Sequence, residues 1–441
     1  MARALVAGTF DSESYWRDSQ SARLPALRDR GREKIILAMD ELLFPLCGSG
    51  DALVTRYAME EAHKAYLARI GFSFKHFTLK REDAENNVFE AIASDCEHKE
   101  EFAGYGQLSP FSIVPSVHKV VARYGYHSEL PSYETVKRVN SKLYSTLLTE
   151  MLLGKSQGKP VYSWNELRAA GGEMLKECES LLVKDPYGVS GNGNMLIQTE
   201  QALERLVAYI RKQEEAGFSA AFILEPYMDV ASDFSCQFEI TPSGTFHLVS
   251  MQKILNRQFA YVGSMSMEEK DIATLERAGY FDVVMQVAGS LYRDGYFGPV
   301  CIDSMSLRDG KIVPIVEINA RQSMGFINHH LDNVLEGKGK KGFLTFRSVG
   351  FRDRFDYESW IMDLEGSDLL YPNRTGNGIL PLSSATLLAN AYSSDQVVST
   401  NAGYCKGKLY MTIVADNAAE RDRYLELMRL LFEHKGGKWY S

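Results

Sequence analysis

At 441 residues, with 45% hydrophobic and 24% charged residues, the chain has a globular composition and is too long for one ordinary core, so two or three domains are expected. A formal net charge of -8 excludes broad nucleic-acid binding, which needs a basic face. The cysteines at 47, 96, 178, 236, 301 and 405 form no C-x-x-C pair, which excludes a zinc ribbon and gives no disulfide frame; reduced thiols in a cytoplasmic setting are expected.

The N-terminal run MARALVAGTF is too short for a secretory signal core and reads as a first β-strand. No stretch approaches the roughly 18 uncharged apolar residues that a membrane span requires. Ala52 to Thr55 reads as a strand, Glu60 to Ile70 as a helix stopped by Gly71, Phe72 to Leu79 as a strand and Asp83 to Ala93 as a helix. This alternation predicts an α/β unit with a partly parallel sheet. Gly104 to Pro115, rich in Gly, Pro and Ser, reads as a loop, and the Tyr15-Trp16-Arg17 cluster serves packing or binding equally well.

Pro131 is expected to open a long helix, Ser132 to Leu153, which carries Lys142. Ser163-Trp164-Asn165-Glu166 is a capping box for a helix to about Glu179. The strand Ser180 to Lys184 then leads into Asp185-Pro186-Tyr187-Gly188-Val189-Ser190-Gly191-Asn192-Gly193. A Gly-rich loop between two strands can close over phosphates with its backbone N–H groups, with Lys184 as a point charge at its base. It is neither a Walker A loop, lacking Lys-Ser/Thr after the last Gly, nor a dinucleotide fingerprint.

Thr199 to Glu215 is an amphipathic helix. The apolar strand Ala221 to Met228 ends in Glu225-Pro226-Tyr227-Met228, which suits a hinge whose backbone meets a purine edge, with Asp233 near enough for a ribose hydroxyl. Strands Phe234 to Ile240 and Thr245 to Lys253 follow, and Gln252, Lys253 and Arg257 are placed at the end of the second strand and in the loop after it. Ser266 to Glu269 reads as a capping box for a helix running towards Arg293.

The most informative stretch is GPVCIDSMSLRDGKIVPIVEINARQSMG, Gly298 to Gly325. Val300 to Leu307 and Lys311 to Ile318 flank an Asp-Gly turn, a strong hairpin signal. Asp303 and Glu317 then lie on neighbouring strands, and Glu317 and Asn319 share a face because side chains alternate. Two carboxylates and an amide oxygen make a hard-oxygen site suited to Mg²⁺, and Arg321 follows with a planar fork for phosphate or carboxylate. An isolated D…E-x-N would read as hairpin capping; the upstream motifs reverse those odds.

Lys142, then Lys184 with the D-P-x-G-x-S-G-x-G loop, then Glu225-Pro226-Tyr227, then Asp303 and E-I-N-A-R, in that order, resemble the ATP-grasp superfamily. The resemblance covers about Lys142 to Arg321 and implies two α+β lobes gripping ATP. It implies ATP contacts from Lys142, Lys184, Gly188, Ser190, Gly191, Gly193, Glu225, Tyr227, Met228, Asp233 and Gln252. It implies Mg²⁺, with Mn²⁺ as the alternative, on Asp303, Glu317 and Asn319, and catalytic charge from Arg321, Lys253 and Arg257. D-alanine ligase-like relatives carry an Arg two residues before the first metal Asp; here that place is Cys301.

The flanks, with the D-A-L-V-T-R strand and the segment Asn373 to Leu382, resemble pre-ATP-grasp enzymes of natural-product pathways. These include the pheganomycin-type peptide ligase and the butirosin-type ligase that loads glutamate onto an acyl-carrier protein. Ser250-Met251-Gln252 is similar to biotin carboxylase-like sequences, a weaker match because nothing accounts for a biotin partner. The division implied is an α/β pre-ATP-grasp domain (1–130), a small lobe with the phosphate loop (131–228), and a large lobe with the metal site and C-terminal extension (229–441). The expected activity is ADP-forming activation of an amino-acid or peptide carboxylate as an acyl-phosphate, passed to an amine to form an amide bond in natural-product, including antibiotic, biosynthesis. The alternatives are transfer of an amino acid such as glutamate to a carrier-protein thiol, and a non-catalytic nucleotide-binding module.

The His329-His330 pair reads as packing or capping. The basic run Lys338, Lys340, Lys341, Arg347, Arg352 and Arg354 reads first as a solvated loop, and more sharply as a docking patch (338–354) for an acidic acyl-carrier protein or a lid over an anionic substrate. A homodimer is left open.

Overall fold

β-branched and aromatic runs between turn signals assemble into three sheets, taken up in turn along the chain. The computed structural model describes residues 3–80, 87–189, 192–257, 260–352, 355–391 and 404–440. The first sheet pairs β1 (Ala4–Ala7), β2 (Ala52–Thr55), β3 (Lys75–Thr78) and β4 (Gln107–Pro110) in the order β3-β2-β1-β4, every pair parallel. The helix Glu61–Ile70 ends at Gly71 in the left-handed region, as its sequence signals. The expected loop Gly104 to Pro115 is corrected, since part of it is β4, paired with β1; its Pro and Ser residues masked a short parallel edge strand. The helix expected over Asp83 to Ala93 falls partly outside the described residues, and its described part is Val88–Ser94.

The second sheet holds β5 (Lys159–Val161), β6 (Leu181–Val189), β7 (Asn192–Ile197) and β8 (Phe222–Pro226) in the order β5-β8-β6-β7, antiparallel throughout. The capping box at Ser163 is present: Glu166 N donates to Ser163 Oγ and Tyr162 N to Glu166 Oε2. This sheet has its own apolar core, built on Leu167, Leu181, Leu206, Ile210 and Phe222.

The third sheet, nine-stranded, holds β9 (Val230–Ile240), β10 (Phe246–Arg257), β11 (Ala260–Ser266), β12 (Gly298–Leu307), β13 (Ile312–Asn319), β14 (Gly342–Phe351), β15 (Gly378–Pro381), β16 (Cys405–Val414) and β17 (Lys438–Tyr440). Its order is β13-β12-β9-β10-β11-β14-β16-β15, with β17 on β14. One apolar cluster runs from Leu5, Trp16 and Val54 through Val136 to Phe234, Val284 and Ile302, so the first and third sheets share a core.

Three helix or loop expectations are corrected here. The span Ser132 to Leu153 is two helices, Tyr133–Val139 and Lys142–Leu153, because Asn140 turns its side chain to Val136 O and Ala320 N and Ser141 caps the second helix. Ser266 ends β11, and the following helical span is Glu269–Arg277 and Tyr280–Arg293, divided at Gly279 with φ +75°. Arg257 belongs to β10 rather than a loop, because β10 pairs with β11 as far as Arg257.

The basic run is corrected too: residues 342–351 are β14, hydrogen-bonded between β11 and β16, and Arg354 lies outside the described residues. Lys340 pairs with Asp416, Lys341 with Glu336, Lys338 reaches Ile70 O, and Arg352 lies over the Tyr404 ring. The strand replaces the solvated-loop reading of this run.

Candidate functional site

The Asp-Gly turn sets the β12–β13 register so that Asp303 stands directly across from Glu317, and Cys301 across from Asn319. Asn319 Nδ2 donates to Asp303 Oδ2 at 3.0 Å. Burial and the adjacent Glu317 charge push the Asp303 carboxyl up to about 7, against the opposing pull of Arg321 and Lys142. Two carboxylates crowded together want a cation, and the ammonium of Lys142 supplies one, 2.5 Å from Glu317 Oε1. The helix break at Asn140 puts Lys142 at the first turn of its helix, where Nζ also donates to Gly188 O at 2.9 Å.

Arg321 leaves the end of the hairpin and is buried against the N-terminal region, hydrogen-bonded to Glu13 and over the Phe111 ring. Glu13 follows β1 and Phe111 follows β4, at the carboxyl ends of neighbouring parallel strands, where open α/β sheets present ligand sites. Arg17, beside the buried Trp16, pairs with Asp185 at 2.6 Å and so ties the same region to the phosphate-loop strand.

Glu13, Phe111, Lys142 and the hairpin residues face one cavity of about 890 Å³. Lys142, Gly188, Asp303, Glu317, Asn319 and Arg321 line one end. Asp233 also lines it, with Asn256 Nδ2 donating to its carboxylate at 2.9 Å. Glu225 and Met228 line a smaller pocket that shares Val316 with the large one. Lys184 pairs with Glu225 at 2.5 Å. Gly193 has φ +100°, and a Cβ there would come within 2.5 Å of Gly188 Cα, so the β6–β7 ribbon closes only around glycine.

No protein-family model matches the chain. Its sequence is 23% identical over 367 residues, 79% of either chain, to the [butirosin acyl-carrier protein]–L-glutamate ligase of Niallia circulans. Among solved structures, a biotin carboxylase from Campylobacter jejuni superposes with a TM-score of 0.53 at 13% identity, covering 100% of this chain and 92% of that one. An N5-carboxyaminoimidazole synthetase from Staphylococcus aureus does so with a TM-score of 0.52 at 10% identity, covering 98% and 97%. The chain has the ATP-grasp fold.

Against that fold, the expected residues divide. Lys142, Gly188, Asp233, Asp303, Glu317, Asn319 and Arg321 converge on the large cavity, and Lys184, Glu225 and Met228 adjoin it. Tyr227 is exposed. Ser190 and Gly191 lie outside the described residues. Gln252 is fully buried, accepting from Asn328 Nδ2 at 2.9 Å beneath the helix Met324–Glu336, and does not line the cavity. Lys253 is exposed on β10, interacts with Glu268, and also lies off the cavity, while the side chain of Arg257 lies outside the described residues. Burial lowers both His329 and His330, which sit on that helix and do not line the cavity, as packing predicts. Sequence reading missed Glu13, Phe111 and the pairing of Arg17 with Asp185; the signal for Glu13 and Phe111 was their position after strands of a parallel sheet.

Proposed function

We propose that this ATP-grasp chain is an ATP-dependent, ADP-forming ligase that activates an amino-acid or peptide carboxylate as an acyl-phosphate and hands the acyl group to an amine or thiol. The observation that carries the reading is the convergence of Asp303, Glu317 and Asn319 with Lys142 and Arg321 on one cavity, in a fold that houses nucleotide complexes in its solved relatives. The division 1–130, 131–228 and 229–441 is part of the same reading.

Asp303, Glu317 and Asn319 fit Mg²⁺: all three offer oxygen, the amide rotates to present its own, and Asp303 is raised by burial and by a neighbouring carboxylate whose charge a divalent ion would neutralise. When bound there, Mg²⁺ supplies charge neutralisation for a triphosphate. Lys142 exchanges Glu317 for a phosphate oxygen, and Lys184 likewise turns from Glu225. Glu225 and Met228 take the adenine end and Asp233 the ribose. The backbone at Gly188 and at Gly193 borders the phosphates and keeps water from the intermediate. Arg321, held by Glu13, faces the point where two anions must meet.

A carboxylate oxygen attacks the γ-phosphorus and ADP leaves. The amine or thiol then attacks the acyl carbon, and phosphate departs carrying that oxygen. Similarity to an acyl-carrier-protein–glutamate ligase supports the thiol acceptor and a natural-product setting. Cys301 is not a nucleophile in this scheme, because burial and Asp303 push its thiol up to about 12. The test is a screen of amino acids with ATP, Mg²⁺ and hydroxylamine: one or more should yield hydroxamate with stoichiometric phosphate. Nucleotide binding with no hydroxamate from any acid would leave only a binding module.

A further inference from the structure

The cavity is far longer than a nucleotide's phosphate end requires. Its floor crosses the third sheet from β13 and β12 to β14 and β16. The near end carries Asp303 and Glu317 together with Lys142 and Arg321. At the far end, alternation and the register Ser348↔Lys408 and Phe346↔Tyr410 turn those four side chains to one face, joined by Arg32 from the helix Arg30–Leu37.

We infer, resting on the ligase reading above, that Lys408 and Arg32 hold the anionic terminus of the acceptor, and that the acceptor's chain lies along the strip formed by Tyr261, Phe346 and Met39. Three observations support this. Among the described residues no carboxylate comes within ion-pair distance of Lys408, whose ammonium instead lies 4.3 Å from the centroid of the Phe346 ring. Burial and the like charge of Arg32 push Lys408 down to about 8, the signature of a cation short of counter-charge. Arg32 lines the same end of the cavity from the first turn of its helix, which sets a second cationic side chain on the wall that carries Lys408.

Length selects the ligand. Five strand steps separate β12 from β16, about 24 Å along the sheet at a spacing of about 4.8 Å. A single free amino acid activated beside Asp303 is far shorter than this. The anion at Lys408 therefore belongs to an extended acceptor whose nucleophile reaches the acyl-phosphate: the phosphate of a phosphopantetheine arm, or the terminal carboxylate of a peptide. Sequence similarity to a carrier-protein ligase favours the first.

The experiment compares charged and neutral acceptors that are otherwise matched: 4′-phosphopantetheine against pantetheine, and heptaglycine, which spans about 24 Å when extended, against its C-terminal amide, with whichever acid the hydroxamate screen identifies. In the wild-type protein the charged member of one pair should have a KM at least tenfold below its neutral partner. Lys408→Met and Arg32→Met should bring that ratio within twofold, and Lys408→Arg should retain it. A general packing defect would raise both KM values together and keep their ratio. Ratios near one for both wild-type pairs, or a ratio preserved in Lys408→Met, would overturn the inference. If the wild type forms no hydroxamate at all, the ligase reading falls, and calorimetric titration with 4′-phosphopantetheine and pantetheine alone decides the subsite by the same tenfold criterion.

Discussion

Replacing Glu13 by Gln should cripple a site whose other residues lie far away in sequence. Glu13 and Arg321 leave only 6% and 13% of their side chains exposed, and the guanidinium has little else: Gln322 O at 3.4 Å and the Phe111 ring at 6.0 Å. Removing one partner of a buried ion pair typically costs about 3–5 kcal/mol. The amide keeps one neutral acceptor, worth about 1 kcal/mol, so about 2–4 kcal/mol is expected. Scanning calorimetry should show a lower Tm, and the freed Arg321 should lower kcat for hydroxamate formation by about 100-fold, the lower end of what loss of a charge-stabilising donor costs. ATP KM should hold, since Lys142 and Lys184 are untouched. A lower Tm with unchanged kcat would show that the pair only braces the fold. Unchanged Tm and kcat would show that Glu13 does not hold Arg321.

Other expectations follow from the same contacts. Asp303→Asn and Glu317→Gln should each lower hydroxamate formation by at least about 10³-fold, while Asp303→Asn leaves the Tm of the nucleotide-free protein equal or higher, because it relieves two crowded carboxylates; a large fall in Tm would contradict that reading. Gly193→Ala sets a Cβ against Gly188 at a positive φ and should raise ATP KM about tenfold, for a local strain of about 1–3 kcal/mol; an unchanged KM would mean the ribbon does not close on nucleotide. Fully buried Glu41, whose carboxylate accepts from Ser384 and Thr386, is raised by burial to about 8. Its folded-state value lies above the unfolded one, so protonation favours folding: the contribution is complete below about pH 4.5 and gone by about pH 8. Urea titrations should find the loss of stability over that window flattened in Glu41→Gln, and an unaltered slope would refute the assignment.

The parts of the site that sequence revealed are those whose geometry is local. One Asp-Gly turn dictates that position 303 faces 317 and that 317 and 319 share a face, so the three oxygen donors could be placed without a tertiary contact. The capping box at Ser163 is equally local. The rest depends on partners distant in the chain. The helix break that presents Lys142 rests on Asn140 reaching the backbone of Ala320, against strong helical periodicity on either side. Glu13 and Arg321 meet only because the first parallel sheet packs against the third. Lys253 looked equivalent to its neighbours in sequence, yet one residue along a strand changes which face it serves. The basic run near residue 345 read as solvated because charge density obscured Phe343, Leu344 and Phe346, the residues that make it a strand.

The chemistry itself is open to one direct measurement. With an acid identified by the hydroxamate screen, labelled with ¹⁸O in its carboxylate, the account predicts that phosphate released from ATP carries one ¹⁸O per turnover, detected by mass spectrometry or by the ³¹P isotope shift. Phosphate free of label, with product still formed, would contradict activation through an acyl-phosphate.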